Sequence, residues 1–227
     1  MGAAIGAVLP LGLGVALSPL PIIAVVLMLA TPRGRLNGPA FIAGWVLGLA
    51  VAGTVVLVIS GGAGASDADD GPAIWVEVVK LVLGVALIGL AARQWQGRPR
   101  GDEAPALPGW MSSIDSFGPG KAFGLAVVLS GVNPKNLLLV VAAATAIAQT
   151  GVDAGGQAVA LAVFVVLGTV GPGLPLGIYY ALGARSAHVL EGLRGWMAAH
   201  NTAIMTVLLL VIGLKLVGDG IAGLFPS

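Results

Sequence analysis

Residues 121–149 read KAFGLAVVLSGVNPKNLLLVVAAATAIAQ, an apolar run long enough to cross a bilayer, with one lysine near its centre. Lys135 lies about 14 residues from either end, which at about 1.5 Å per helical residue places it roughly 21 Å from both. A lysine at the bilayer centre costs about 2.5–3.5 kcal/mol on insertion scales. The run therefore predicts a spanning helix whose lysine binds or orients an anionic or polar group. Alternatively, the lysine caps carbonyls freed by Pro134 or pairs with a carboxylate of another helix.

The rest of the chain is as apolar as this run. Of its 227 residues, 57% are hydrophobic and 9% are charged, whereas soluble domains carry about 25% charged residues. The lack of cysteine excludes disulfides and thiolate metal sites, and two histidines argue against a histidine-rich one. A net charge of +1 without a long basic run argues against a nucleic-acid partner. Composition thus predicts an all-α integral membrane protein, with no enzyme activity and no cofactor expected.

Apolar runs predict six transmembrane helices, at 3–31, 38–60, 73–92, 121–149, 155–182 and 200–223. The basic residues lie mainly in the first, third and fifth connections, as Arg33, Arg35, Arg93, Arg98, Arg100, Arg185 and Arg194. The second and fourth connections instead carry Asp67, Asp69, Asp70 and Asp153. By the positive-inside rule, the basic connections face the cytoplasm. Both termini of this multi-pass protein are then expected outside the cytoplasmic membrane.

The two halves of the chain resemble each other. Gly14–Pro21 places a Leu-Ser pair before a proline-containing break, and Leu125–Pro134 repeats that order. With three spans per half, the second half enters the membrane from the opposite side, as in the inverted repeats of secondary transporters. The pattern predicts a three-helix repeat at 1–92, a cytoplasmic connector at 93–120 and a second repeat at 121–227.

The connector contains a short amphipathic segment. Trp110, Met111, Ile114 and Phe117 alternate with polar residues at a spacing that suits a helix lying in the membrane interface. Such a helix either anchors the connector or forms part of a gate on the cytoplasmic side.

Proline-containing breaks are predicted in helices 1, 4 and 5, at Ser18–Pro21, Asn133–Asn136 and Gly171–Pro175. Each proline removes a hydrogen-bond donor and restricts the residue before it. Freed backbone groups persist in hydrocarbon only against protein or a wet cavity, and matched breaks in two halves indicate a transport site. The predicted substrate-binding residues are Ser18, Pro19, Pro21, Ser130, Asn133, Pro134, Lys135, Asn136 and Pro172.

Carboxylates inside the predicted spans are few. Glu77 and Lys80 are three residues apart on the third span, and Asp219 lies near the end of the sixth. The spacing of Glu77 and Lys80 favours an ion pair on one helix face. Proton coupling through Glu77 is the alternative, although no paired acidic relay accompanies it.

Several motifs are similar to those of one exporter superfamily and of one family within it. The motifs are Ser18-Pro19-Leu20-Pro21, Arg33-Gly34-Arg35, Gly44, Gly48, Gly118–Gly124, Leu129-Ser130 and Asn133-Pro134-Lys135-Asn136. The first four and the Asn-Pro-Lys motif resemble the lysine-exporter (LysE-type) superfamily. The motifs from Gly118 onward resemble the peptidoglycolipid-addressing protein (GAP) family more closely, which includes sulfolipid-addressing proteins.

This resemblance implies a six-helix exporter that moves lipid or glycolipid molecules across or out of the cytoplasmic membrane. Its partners would be the lipid or glycolipid substrate and the membrane, and a homodimer or an association with lipid-biosynthetic machinery is compatible with it. Two alternatives stay open: a small-solute, amino-acid-like exporter, and an accessory scaffold subunit of a lipid synthesis or export complex. The stretch Ser18–Pro21 departs from the Pro-Gly-Pro pattern of amino-acid exporters.

Overall fold

The computed structural model describes residues 1–64, 74–98 and 109–225, without the side chains of residues 61–64 and 75. In chain order its elements are α1 (Gly2–Ala16), α2 (Pro19–Leu29), α3 (Gly34–Gly64), α4 (Ile74–Gln96), a 3-10 helix (Gly109–Ser116), α5 (Pro119–Val127), a π-helical turn (Val128–Val132), α6 (Pro134–Gln149), α7 (Ala154–Leu182), a 3-10 turn (Gly183–Arg185) and α8 (Ser186–Leu224). The predicted all-α class is confirmed for these residues. Asp67, Asp69, Asp70 and Arg100 lie outside them.

Two helical stretches are long and apolar enough to cross a membrane on their own. They are Gly34–Ser60 and Ala154–Leu224, the second of which comprises α7, the 3-10 turn and α8. Two bent helix pairs also qualify if each pair counts as one span, which gives up to four candidate spans in the described residues. The lengths and composition of its helices therefore mark the chain as a membrane protein.

The predicted breaks in helices 1 and 4 are confirmed. α1 and α2 meet at an angle of 52°, and the helix Pro119–Val132 meets α6 at 58°. At each bend a residue that favours the position before a helix precedes a proline: Ser18 before Pro19, and Asn133 before Pro134. Proline is well suited to the first turn of a helix, where its missing N–H has no intrahelical partner. Both stretches therefore end one helix and start another.

The predicted break in helix 5 is wrong, because α7 runs through Pro172 and Pro175 as one helix. Pro172 lacks the amide hydrogen that would bond to the Gly168 carbonyl one turn earlier. That carbonyl instead accepts a hydrogen bond from the indole Nε1 of Trp45 in α3, at 3.1 Å and in a buried position. A side chain of a neighbouring helix thus supplies the missing donor, and α7 continues.

α8 already begins at Ser186, so the residues just before the predicted sixth span, 186–199, are helical. The added helical segment contains no proline, and its charges lie on an exposed surface where Glu191 and Arg194 pair at 2.6 Å. Leu190 is buried within the same segment. The segment is therefore an amphipathic helical start, although its charges suggest a loop in the sequence.

The short helix predicted in the connector is present as the 3-10 helix Gly109–Ser116. Met111 and Ile114 are buried, and this helix packs against α2. Just after it, the Phe117 carbonyl accepts a hydrogen bond from Nδ2 of Asn37 in α3, at 3.0 Å. The connector segment is thus docked onto the first helices of the chain.

Glycines allow the main helix pairs to approach backbone to backbone, as is common in membrane helix bundles. α1 packs on α7, where a Cβ added to Gly171 would overlap a backbone carbonyl at the end of α1. α5 packs on α3, where a Cβ added to Gly44 would overlap the α5 backbone. α4 and α8 pack along their lengths through Gly84 and Gly213. Because α1 also packs on α6, the two bends lie side by side.

Candidate functional site

A small cavity of about 80 Å³ lies where the two bends meet, and residues of α4 and α8 complete its wall. Six of the predicted site residues line it: Ser18, Pro19, Pro21, Asn133, Lys135 and Asn136. Five further residues complete the lining: Leu20, Gln94, Leu129, Asn201 and Met205. The cavity thus combines polar groups from four parts of the chain within an apolar helical bundle.

Lys135 supplies the positive charge of this cavity. Its Nζ donates hydrogen bonds to the Gly14 carbonyl of α1, at 2.8 Å, and to Ser18 Oγ. Ser18 Oγ in turn donates to the Val15 carbonyl at 2.7 Å. These acceptors lie at the C-terminal end of α1, where unpaired carbonyls and the helix dipole stabilise a cation. The lysine therefore caps carbonyls, but those of α1 rather than those freed by Pro134.

The ammonium of Lys135 retains capacity for a ligand. It has three N–H donors, of which the Gly14 carbonyl and Ser18 Oγ take two. Within the described residues the ion pairs are Glu77–Lys80, Glu191–Arg194 and Lys215–Asp219. The predicted alternative of a carboxylate partner for Lys135 is thus not met in this part of the chain. One donor remains for a polar or anionic group in the cavity.

The two asparagines that flank Lys135 hold the second bend in shape. Asn133 Oδ1 accepts from the Lys135 backbone amide at 3.1 Å and so caps the start of α6. Asn136 Nδ2 donates to the Leu129 carbonyl at 2.8 Å, across the bend. Pro134, which lies between the two, has no amide hydrogen to offer that carbonyl. The Asn-Pro-Lys-Asn motif therefore satisfies the backbone that its own proline interrupts.

Two amide oxygens in the cavity wall are buried without a hydrogen-bond partner among the described residues. They are Asn136 Oδ1 and Asn201 Oδ1, which belong to α6 and α8. A buried acceptor left unpaired costs about 1–3 kcal/mol, so a donor entering the cavity would be stabilised there. Together with the free N–H of Lys135, these oxygens suit a head group that has both acceptors and hydroxyl donors. None of these groups is a typical metal ligand set.

Ser130 and Pro172, which the sequence also predicts as site residues, lie away from the cavity. Ser130 is fully buried against α3, where a Cβ added to Gly48 would overlap its hydroxyl oxygen. Pro172 is buried within α7, in the helix turn whose Gly168 carbonyl is held by Trp45. Their contacts in the structure are thus helix packing and backbone pairing.

Sequence reasoning missed Gln94, Asn201 and Met205 as cavity residues. The predicted third span ended at residue 92 and the sixth began at 200, so Gln94 and Asn201 counted as span ends. For Gln94 and Asn201, the signal in the sequence was an uncharged amide side chain within a stretch that otherwise favours helix. The sequence does not show which faces of α4 and α8 contact the two bends, because tertiary packing decides this.

The predicted ion pair between Glu77 and Lys80 is present. Lys80 Nζ contacts both carboxylate oxygens of Glu77, at 3.0 and 3.1 Å. Glu77 is buried, and its Oε1 also accepts from Nε2 of Gln149 at 2.9 Å. This group lies at the opposite end of α4 from Gln94 and outside the cavity that Lys135 lines.

Comparison with known proteins agrees with the resemblance that the motifs carry. Neither a curated protein nor a solved structure matches the chain. The model of one family, described as Sap, sulfolipid-1-addressing protein, matches residues 8–222 and so includes both bends and the cavity between them. The chain belongs to this sulfolipid-1-addressing protein family.

Proposed function

We propose that the protein is an exporter that moves lipid or glycolipid molecules across or out of the cytoplasmic membrane. The observation that carries this proposal is the buried Lys135 ammonium at the junction of two bent helices, with one N–H free for a ligand. Membership of the sulfolipid-1-addressing family is consistent with a lipid as the molecule moved. No acid–base constellation accompanies the lysine among the described residues, so we propose transport rather than catalysis.

The chemistry of the cavity supports a polar or anionic head group as the part that is bound. Lys135 offers a charged donor, and Asn136 and Asn201 offer buried acceptor oxygens. The remaining lining includes apolar groups such as Leu20 and Met205. Because the cavity is small, it would hold only part of a head group, while acyl chains would stay against apolar helix surfaces. This arrangement separates the polar and apolar parts of a lipid without burying an unpaired charge.

For the architecture we propose six spans in two inverted repeats. The first repeat, residues 1–92, would comprise α1–α2, α3 and α4, and the second, residues 121–227, would comprise α5–α6, α7 and α8. The connector 93–120 would lie between them in the cytoplasm, with both termini outside. Three spans per repeat give the two halves opposite orientations, which alternating access exploits.

Helix packing supports the proposed symmetry, and two hydrogen bonds join α3 to α7. Trp45 of α3 donates to the α7 carbonyl that Pro172 leaves unpaired, at 3.1 Å. In return, the Tyr180 hydroxyl of α7 donates to the Arg35 carbonyl, which Pro39 leaves unpaired on α3, at 3.3 Å. α1 packs on α7 as α5 packs on α3. An exchange of the two repeats converts the packing of α1 on α7 into that of α5 on α3.

The test measures surface-extractable lipid against total lipid in cells that lack the gene. The cells are complemented with wild type, Lys135→Met, or Lys121→Met as the matched control, because Lys121 is exposed and lies outside the cavity. We expect wild type and Lys121→Met to restore surface lipid. Lys135→Met should restore at least about tenfold less, equivalent to about 1.4 kcal/mol of lost interaction.

Two results would contradict the proposal in different ways. Full rescue by Lys135→Met at equal expression would show that the lysine is structural only. Surface lipid that does not depend on the gene would exclude lipid export.

The volume of the cavity favours a second candidate, a small-solute, amino-acid-like exporter. About 80 Å³ is well below the roughly 300–1,000 Å³ of common ligand pockets. A small zwitterion would need fewer rearrangements to enter than a lipid head group. Amino-acid efflux from the same strains distinguishes the two: a defect in efflux with normal surface lipid would favour the small solute.

A further inference from the structure

A second cavity, of about 220 Å³, lies at the other ends of the helices that line the first. Its charged and polar lining comprises Lys80 of α4, Gln149 of α6, Thr150 just after α6, and Lys215 and Asp219 of α8. Small side chains such as Ala146 of α6 form part of its wall. Neither the proposed function nor the family description accounts for this group of charges.

α4, α6 and α8 line both cavities, whereas Ser18 and α2 contribute to the wall of the first and α1 contributes to that of the second. α4 contributes Gln94 to the first cavity and Lys80 to the second, and these residues are about 21 Å apart along the helix axis. α8 contributes Met205 to the first and Lys215 to the second. The three shared helices therefore run from one cavity to the other.

A thin apolar layer separates the cavities. A Cβ added to Gly14 of α1 would lie 3.3 Å from Leu139 Cδ1 of α6 and would overlap Ile212 Cδ1 of α8. Leu139 and Ile212 are both buried. Lys135 contacts the Gly14 carbonyl from the side of the first cavity. The way between the cavities is thus closed by the tips of two side chains over a glycine, and the cation lies directly beneath them.

The second cavity has donors to spare for an anion. Lys80 directs two of its three N–H groups to Glu77, and Lys215 pairs with Asp219 through one contact. Gln149 also donates a hydrogen bond to Glu77, at 2.9 Å. Two ammonium groups from two different helices therefore face one cavity, and each keeps at least one free donor.

We propose that the second cavity binds the negatively charged group of a substrate, such as a sulfate, phosphate or carboxylate, after it has crossed the Gly14–Leu139–Ile212 layer. The inference rests on the proposed export function, in which Lys135 binds the same head group first. Lys80 and Lys215 then act as the release-side counterpart of Lys135. A cation on each side of the apolar layer lets the anionic group exchange one partner for another.

The test uses the fact that the chain has no cysteine. Ala146→Cys introduces a single thiol into the second cavity, and Met205→Cys introduces one into the first. Each full-length variant is placed in phosphatidylcholine nanodiscs containing sulfatide, the uncharged galactosylceramide, or no further lipid, and the rate of thiol labelling is measured. A separate arm adds sodium sulfate to nanodiscs without sulfatide.

We expect sulfatide to slow labelling of Ala146→Cys by about tenfold relative to galactosylceramide, which corresponds to about 1.4 kcal/mol. Protection by sodium sulfate as well would identify the anionic group alone as the recognised feature. Protection by sulfatide only would add the lipid part to what is recognised. Equal rates with sulfatide and galactosylceramide, together with no effect of sulfate, would overturn the inference.

Variants in which the lysines are replaced by uncharged glutamine test whether the protection depends on Lys80 and Lys215. Lys215→Gln and the pair Glu77→Gln/Lys80→Gln should each reduce the protection of Ala146→Cys, and the paired change avoids leaving a buried carboxylate unpaired. The matched control is Glu191→Gln/Arg194→Gln, which removes an exposed ion pair elsewhere on α8 and should leave protection unchanged. Protection that survives all the lysine changes would contradict the site.

The first cavity separates failure of this inference from failure of the proposed function. Sulfatide protection of Met205→Cys without protection of Ala146→Cys would overturn the second site and leave export through Lys135 standing. If sulfatide protects neither thiol, the lipid-binding role of Lys135 is contradicted as well.

Discussion

Pro134 and Pro172 both lie in the middle of apolar helical stretches, yet the chain bends by 58° at the first and continues as one helix through the second. Pro172 withholds an amide hydrogen from the Gly168 carbonyl inside α7, whereas Pro134 is the first residue of α6, where an amide has no intrahelical partner. Near each proline a side chain donates to a backbone carbonyl: Asn136 donates to Leu129 at the bend, and Trp45 donates to Gly168 in α7. The difference lies in the residue before each proline.

Asn133 precedes Pro134, and its side-chain oxygen caps the next helix by accepting from the Lys135 amide. Gly171 precedes Pro172 and has no side chain with which to cap a helix. A proline therefore ends a helix here when a capping residue stands ready to start the next one, and it is absorbed when a neighbouring helix provides a donor. Ser18 occupies the same position before Pro19, but its hydroxyl donates to the Val15 carbonyl and does not cap α2.

The largest effect is expected for Gly171→Ala. The added Cβ would overlap a backbone carbonyl oxygen of Ala16, which no rotamer change can relieve, so we expect a loss of about 3 kcal/mol in the free energy of unfolding. Titration with SDS in mixed micelles, followed by circular dichroism, measures this loss. Gly173→Ala is the matched control, because nothing lies within 4 Å of its Cβ position. Equal effects of both substitutions would contradict the packing role of Gly171.

The capping rule also shows how much of the fold the sequence can predict. Ser18-Pro19 and Asn133-Pro134 carry a residue type that favours the cap position before the proline, and both predicted bends are confirmed. Gly171-Pro172 carries none, and there the predicted break is wrong. The rule would have separated the cases, but the donor that rescues α7 could not be predicted, because Trp45 is 123 residues away from Gly168 and reaches it only through the packing of α3 on α7.

The second prediction tests whether Trp45 replaces the amide that Pro172 lacks. Trp45→Phe leaves the Gly168 carbonyl buried and unpaired, so we expect a loss of about 2 kcal/mol in the free energy of unfolding. Adding Pro172→Ala restores an amide at the correct place in the helix and should recover about half of that loss or more. A double-mutant cycle in SDS titrations gives the coupling energy. Strictly additive effects would argue against the exchange of donors.

The third prediction is that replacing Pro134 does not recover the stability that is lost when the side-chain donor at this bend is removed. Asn136→Leu removes the donor to the Leu129 carbonyl and should lower the free energy of unfolding by about 1 kcal/mol, because this hydrogen bond is only partly buried and Leu129 lines a cavity. Pro134→Ala should not compensate, since residue 134 is the first residue of α6, where amides have no intrahelical partner. The same SDS titration checks both variants. Rescue equal to that at Pro172 would mean that the bend depends on the proline alone.

The candidate site divides along similar lines. Lys135, Asn133 and Asn136 could be predicted because a charge and two amides near the centre of an apolar run are costly to bury unless they bind or pair with polar groups. Gln94 and Asn201 could not, because their sequence positions fit span ends, and only the packing of α4 on α8 brings them to the bends. Local chemistry thus identified the residues of the motif, whereas the far wall of the cavity depends on tertiary contacts.

The smallest effect is expected for Tyr180→Phe, which removes a second side-chain hydrogen bond between α3 and α7. The Tyr180 hydroxyl donates at 3.3 Å to the Arg35 carbonyl that Pro39 leaves unpaired, but the tyrosine is 57% exposed. Surrounding polar groups can replace so exposed a donor, so we expect a loss of no more than about 0.6 kcal/mol in the free energy of unfolding. A double-mutant cycle with Pro39→Ala, measured as for Trp45 and Pro172, gives the coupling. A coupling of the same sign and smaller size would support equivalent roles of α3 and α7 in the two proposed repeats, and a coupling of opposite sign would argue against that equivalence.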